Sequence, residues 1–296
     1  MSDAALPALG STAAVPAQPA AVRRKRRPPG TSRARTALIW AVAIVWLLPV
    51  AWIFATAFKA PRDVLSLRIL FAPTLRNFAV AFGDPFFLGE RLVNSAIVTV
   101  ATLVVALPIS TAAAYAFSRF RFPGGAVWPL GVLATQFLPP VVIIIPLFIA
   151  FRGMGLLDTR AALVIANMSF VLPYAIWMIK GFIDALPIDM EEAAQMDGAS
   201  RIRAIWDVVV PLILPGIATA AVFCFVVSWN EFFYALVLTR QEATTLPVAL
   251  MGTRTDQGDA WEVMATMGLV IMLPMLVIAR LMQRFFTKGI TTGGVR

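Results

Sequence analysis

The sequence predicts an all-α integral membrane protein with six transmembrane helices, and three observations lead there. The 296 residues are 59% hydrophobic and only 14% charged, with mean hydropathy +0.81, whereas soluble domains are roughly 45–50% apolar and about 25% charged. A chain so poor in charge cannot cover a globule with polar groups, and a lipid-facing surface removes the need. Six nearly uncharged runs are each close to the ~20 residues that a helix needs to cross ~30 Å of hydrocarbon. The Lys and Arg between these runs fall unevenly on the two sides that six crossings would create.

Residues 1–36 come first, rich in Ala, Pro, Ser and Arg and without apolar periodicity. Such a composition cannot bury a core, so a disordered basic tail is expected. It carries Arg23-Arg24-Lys25-Arg26-Arg27, Arg33 and Arg35 directly before the first apolar run. A basic cluster in that position reads as a membrane anchor on the cytoplasmic side. The six runs are Ala37–Phe58, Leu92–Phe117, Val127–Phe151, Ala161–Ile179, Leu212–Asn230 and Val263–Ala279. The last is short and must borrow flanking residues. In lipid a backbone must satisfy its own hydrogen bonds, so these runs are helices. The first is too long, and too far from the start, for a cleaved signal segment, although Ala55-Thr56-Ala57 offers a small-x-small site. The spanning domain is thus 37–284, followed by a tail of 285–296.

With the amino terminus inside, the inner segments hold the seven basic residues of the tail, Arg119, Arg121, Lys180, Arg201, Arg203, Arg280, Arg284, Lys288 and Arg296, sixteen of the 25 Lys and Arg. Both termini are therefore expected in the cytoplasm. Pro49, Pro108, Pro139, Pro140, Pro146, Pro173, Pro215 and Pro274 fall within the runs. Each removes a backbone hydrogen bond and can kink its helix. No internal repeat is evident.

Several functions are disfavoured. The net charge of +9 is scattered in short segments and not gathered on one face, which argues against nucleic acid as a partner. There is no histidine, and the one cysteine, Cys224, lies inside an apolar run, so no catalytic or metal-binding constellation is visible. An ion-coupled carrier would need intramembrane carboxylates. Asn230 and Glu231, at the outer end of the fifth run, are the candidate intramembrane polar pair, and interfacial packing explains them as well as function does.

The informative stretch is the connection 180–211. Pro187 suits the first turn of a short helix. Asp189, Glu191 and Glu192 then fall near its positive end. Gly198 suits its stop, and Ser200 can cap a second helix running to Pro211. Ala194 and Gly198 lie one turn apart, giving a small-residue face with Ala193 that another surface can approach closely. From physics alone, a short amphipathic connector resting on the membrane is the simpler reading.

Glu192-Ala193-Ala194, three residues, Gly198, nine residues, then Val208-Val209-Val210-Pro211 resembles the EAA loop of bacterial ABC importer permeases. Ala113–Gly124, Ser228-Trp229-Asn230-Glu231-Phe232, Thr244–Val248 and Gln283–Thr291 are similar to segments of the carbohydrate-importer branch, nearest in pattern to the G-type subunit of maltose transporters. The long tail departs from that pattern.

The resemblance implies a type I ABC importer permease fold whose coupling helix, between spans four and five, sits in a cleft of the cytoplasmic ATPase. Glu191, Glu192, Ala193, Ala194, Asp197, Gly198 and Arg201 would serve that coupling. Lys288, Gly289 and Thr291 would reach the ATPase interface, and Thr244, Thr245, Leu246, Pro247 and Gly252 would face an external solute-binding protein. The implied assembly adds a second permease subunit and two ATP-binding subunits. No Gly-x-x-x-x-Gly-Lys-Ser/Thr loop occurs in the chain, so ATP and Mg are expected on the partner ATPase and no cofactor on this chain. The solute would be a di- or oligosaccharide or polyol; other solutes such as glycerol phosphate also travel through permeases of this branch.

Overall fold

The computed structural model describes residues 33–293 except 67, 69, 122, 126, 256 and 257, with backbone alone for 254, 255, 258, 259 and 283–293. The helices are α1 (Arg33–Ala57), α2 (Arg76–Phe82), α3 (Leu88–Arg119), α4 (Val127–Ala134), α5 (Pro140–Gly153), α6 (Arg160–Asp184), α7 (Asp189–Met196), α8 (Arg201–Ala204), α9 (Val210–Trp229), α10 (Phe233–Leu238), α11 (Leu246–Met251) and α12 (Trp261–Gly293). One two-residue antiparallel pair, β1 (Arg254–Thr255) with β2 (Gly258–Asp259), precedes α12. The chain divides into units 1–48 and 49–296. In the first, only the start of α1 is described, and its Leu38, Trp40 and Trp46 are exposed, as lipid or another chain would require. That helix begins at Arg33, not Ala37, and residues 1–32 of the expected tail lie outside the described residues.

Five helical stretches among the described residues are long and apolar enough to cross a membrane: α1, α3, α6, the continuous stretch Arg201–Trp229 and Trp261–Met282. The expected third span, Val127–Phe151, is not one straight helix. It bends by 90° between Val127–Phe137 and Pro140–Gly153, and counts as a sixth span only if this pair is one. The cause is local. Pro139 and Pro140 remove two consecutive N–H donors, and a residue before proline is pushed out of the helical region; Leu138 accordingly has ψ 124 and Pro139 ψ 136. The isolated prolines Pro49, Pro108, Pro146, Pro173, Pro215 and Pro274 stay within helices.

The other spans outrun their apolar runs, because hydropathy marks the lipid-contacting part of a helix and not its ends. At the start of α6, the Thr159 hydroxyl caps the helix by accepting from Ala162 N–H at 3.2 Å. The second helix of the 180–211 connection does not end at Pro211. It runs from α8 through a π-wound stretch, Ile205–Val209, into α9. Wider winding fits a proline that lacks an N–H and would otherwise crowd the carbonyl four residues earlier.

Helices α3, α6 and α9 pack through small residues: Ala106, Ala114, Ala175 and Ala220 are fully buried. In lipid, close backbone approach replaces the hydrophobic drive between helices. Gly216 shows how close: a Cβ there would run into the Phe182 ring. Asn77, on α2, donates to the carbonyls of Ala57 and Lys59, both at 2.8 Å, and so ties down the end of α1.

Candidate functional site

Two loops are held at opposite ends of α3, and the first carries Glu191, Glu192, Asp197 and Arg201, singled out from the sequence. That first loop is the connection between α6 and α9. Its helix α7 opens at Asp189 with three acids in the first turn, where the positive helix end favours them. It stops at Gly198 with φ +90, a conformation that disfavours any Cβ. Ala199 N–H donates to Ala194 O and Gly198 N–H to Gln195 O, both at 3.0 Å, the paired closure that ends many helices. The Ser200 hydroxyl accepts from Arg203 N–H at 3.3 Å.

The structure separates the residues grouped here by sequence. Glu191 turns inward and is 4% exposed. Its Oε1 accepts from Arg119 Nε at 2.6 Å and its Oε2 from the Tyr115 hydroxyl at 2.8 Å. Arg119 also donates from Nη2 to Leu186 O at 3.0 Å. Glu192, Ala193, Asp197 and Gly198 are exposed and Ala194 is half-buried. Arg201 is exposed, its guanidinium 4.9 Å from the centre of the Phe120 ring. Nothing in the sequence pattern says which of two adjacent glutamates faces inward.

The second loop joins α10 to α11. Asp158, between α5 and α6, has φ +58, and its carboxylate accepts from four successive backbone N–H groups. These are Arg240 and Gln241 at 3.0 Å and Glu242 and Ala243 at 3.1 Å. Burial pushes the Asp158 carboxyl upward in pKa, but the four amides outweigh it and hold the group below the usual aspartate value. Asn94 Nδ2 donates to Glu242 O at 2.8 Å and Thr244 O at 2.9 Å, Leu246 N–H donates to Ser95 Oγ at 2.8 Å, and Arg91 donates to Gln241 O. Arg160 Nε donates to Asn94 Oδ1 at 2.8 Å. Sequence reasoning missed this set. A left-handed aspartate and four amides leave no motif, since the amides belong to the backbone.

Thr244, Thr245 and Leu246, expected to face a partner, are buried within the chain. Pro247 is half-buried and Gly252 exposed. Of Lys288, Gly289 and Thr291 only the backbone is described. Asn230 is exposed and donates to Val226 O at 2.7 Å. Glu231 accepts from Tyr234 N–H at 2.7 Å and Ala235 N–H at 3.0 Å, which caps α10. The pair therefore has a local structural role where α9 breaks into α10.

The sequence pattern of the family described as "Binding-protein-dependent transport system inner membrane component" matches residues 106–292. The chain belongs to this family. It is thus a multi-pass membrane component of a transporter, an ABC importer permease, and not an enzyme by family. The permease is 33% identical over 247 residues to the diacetylchitobiose uptake system permease protein DasC of Streptomyces coelicolor, covering 82% of this chain and 89% of that one. It is 35% identical over 226 residues to the trehalose transport system permease protein SugB of Mycobacterium tuberculosis, covering 75% and 82%. The fold of the permease matches, with TM-score 0.73 and 25% identity, a chain in the crystal structure of a bacterial ABC transporter involved in import of the acidic polysaccharide alginate, covering 86% of this chain and 95% of that one.

Proposed function

We propose that this permease forms half of the membrane pathway of an ATP-driven carbohydrate importer, working by alternating access. A second permease subunit supplies the other half, two ATP-binding subunits supply the energy, and an external binding protein delivers a di- or oligosaccharide or a polyol. Relatives that align over most of their length with this chain are named for diacetylchitobiose and trehalose, and that observation carries the choice of solute class. The α6–α9 connection faces the cytoplasm, as do both termini. Helix α7 is the coupling element, presenting Glu192, Ala193, Asp197 and Gly198 to an ATP-binding subunit; their exposure supports this. The outer loop meets the binding protein through Pro247, Gly252 and the exposed Arg240, Gln241 and Glu242. ATP and Mg bind on the partner and not on this chain. Lys288, Gly289 and Thr291 extend toward the ATPase dimer.

The test is to purify the permease in its native membrane complex and to screen the co-purifying binding protein against sugars by thermal shift. The expected result is an attached ATP-binding subunit and stabilisation of the binding protein by a neutral carbohydrate. A permease that purifies without an ATP-binding subunit, and takes up solute on an ion gradient alone, would overturn the proposal.

A further inference from the structure

The two adjacent glutamates of α7 are about 100° apart around the helix, and only one of them faces outward. Glu191 is enclosed with both oxygens engaged, by the Arg119 Nε and the Tyr115 hydroxyl. Tyr115 and Arg119 are one turn apart on α3 and therefore share a face. The Arg119 guanidinium also reaches Leu186 O, in the link between α6 and α7. The last turn of α3 thus grips α7 and the segment leading into it at the same time. Side-chain exposure is 11% for Arg119 and 5% for Glu191, and away from water such charge-assisted bonds are strong and directional.

The other end of α3 is equally engaged. Asn94 donates to Glu242 O and Thr244 O, and Ser95 accepts from Leu246 N–H, so the α10–α11 loop hangs on the first turns of the same helix. The two grips lie roughly 35 Å apart along its axis, at 1.5 Å per residue. Between them α3 packs on α6 and α9 through Ala106 and Ala114.

We infer that α3 is a strut joining the two loops, with Glu191 and Asn94 as positioning residues at its ends. A displacement of α7 enters α3 through the Glu191 carboxylate and leaves through the Asn94 amide to the α10–α11 loop. Glu192 is left free for an intermolecular contact. Intermediacy in space does not establish such coupling; a shared response to substitution does. This inference rests on the proposed importer assembly for its meaning in transport, but its physical core can be read in the permease itself.

Two measurements test it. In the first, amide exchange of residues 240–246 is followed in the full-length permease in lipid nanodiscs. Glu191→Gln removes one ionic partner at the far end of the helix and is expected to speed exchange there about tenfold, as loss of one charge-assisted bond would. Exchange that rises only around α7 and leaves 240–246 unchanged would overturn the strut, whatever the protein transports. In the second, the complex is reconstituted with its ATP-binding subunits and binding protein. Tyr115→Phe and Asn94→Ala complexes are expected to assemble and to hydrolyse ATP at the basal rate, while stimulation by the loaded binding protein falls severalfold, to about the same level in the double variant as in either single one. Arg119→Lys, which keeps the charge, restores part of the stimulation lost in Arg119→Ala. Losses that simply multiply in the double variant, or normal stimulation in both single variants, would overturn the inference. A wild-type complex without stimulation would count against the importer reading and would leave the exchange result to decide on the strut.

Discussion

The α6–α9 connection and the α10–α11 loop each rely on a carboxylate, but in opposite ways. Glu191 lies on the short helix it secures and is held by two side chains of α3 in a nearly dry site. Asp158 lies outside the loop it secures and gathers four of that loop's backbone amides. The first arrangement fixes one edge of α7 and leaves its other side exposed, as suits an element moved as a rigid piece. The second binds a loop along its length and turns Thr244, Thr245 and Leu246 into the chain, as suits a platform. One loop is gripped at an edge, and the other is moulded.

The largest effect should come from breaking the edge grip. Glu191→Ala leaves the Arg119 guanidinium buried without its carboxylate, which should destabilise by about 3–5 kcal/mol. A clear fall in the thermal midpoint of the purified protein is expected. An unchanged midpoint would mean that water reaches Arg119 and that the grip is loose.

The moulded loop should respond more mildly. In Asp158→Ala the four amides lose their acceptor, but Asp158 is only half-buried and water can replace part of it, so about 1–2 kcal/mol is expected. The loss should appear as faster amide exchange confined to 240–243. Asp158→Asn should fall between wild type and Ala, since one oxygen is kept.

Of similar size is Gly198→Ala. Nothing lies within 4 Å of the added Cβ, so the penalty is the left-handed backbone alone, about 1–2 kcal/mol. It should appear as fraying of α7 with the Glu191 grip intact.

The gentlest probe is pH. The Asp158 carboxyl is held below its usual value, so its stabilisation of the loop is fully present above the ordinary aspartate value of about 3.9 and is lost as pH falls through the lower folded value. Exchange at 240–243, corrected for the intrinsic pH dependence, should therefore hold steady from neutral pH to about 5 and rise only in stronger acid. A rise near pH 6 would contradict the amide crown.

Much of this was legible in the residues. Hydropathy located the five long spans among the described residues, because the demand for apolar length is set by the bilayer and not by the neighbours. Gly198 and Ser200 marked the turn after α7 through backbone chemistry that is local. The 90° bend was less legible: Pro139 and Pro140 stand in a row of prolines of which only the adjacent pair breaks its helix. The short helices α2, α10 and α11 carry no spanning pattern and depend on tertiary contacts such as that of Asn77 with the Ala57 and Lys59 carbonyls. The inward turn of Glu191 depends on Tyr115 and Arg119, more than seventy positions away, and no local pattern encodes it. The same holds for Asp158, whose partners are amides that every residue but proline possesses.

In the proposed importer, α7 would pass the work of an ATP-binding subunit into this permease. The most direct test is Gly198→Asp in the reconstituted complex, because it adds a charged side chain at the exposed end of α7 and leaves the Glu191 grip in place. Normal membrane insertion is expected together with loss of the ATP hydrolysis that the loaded binding protein stimulates. Full stimulation in that variant would contradict it.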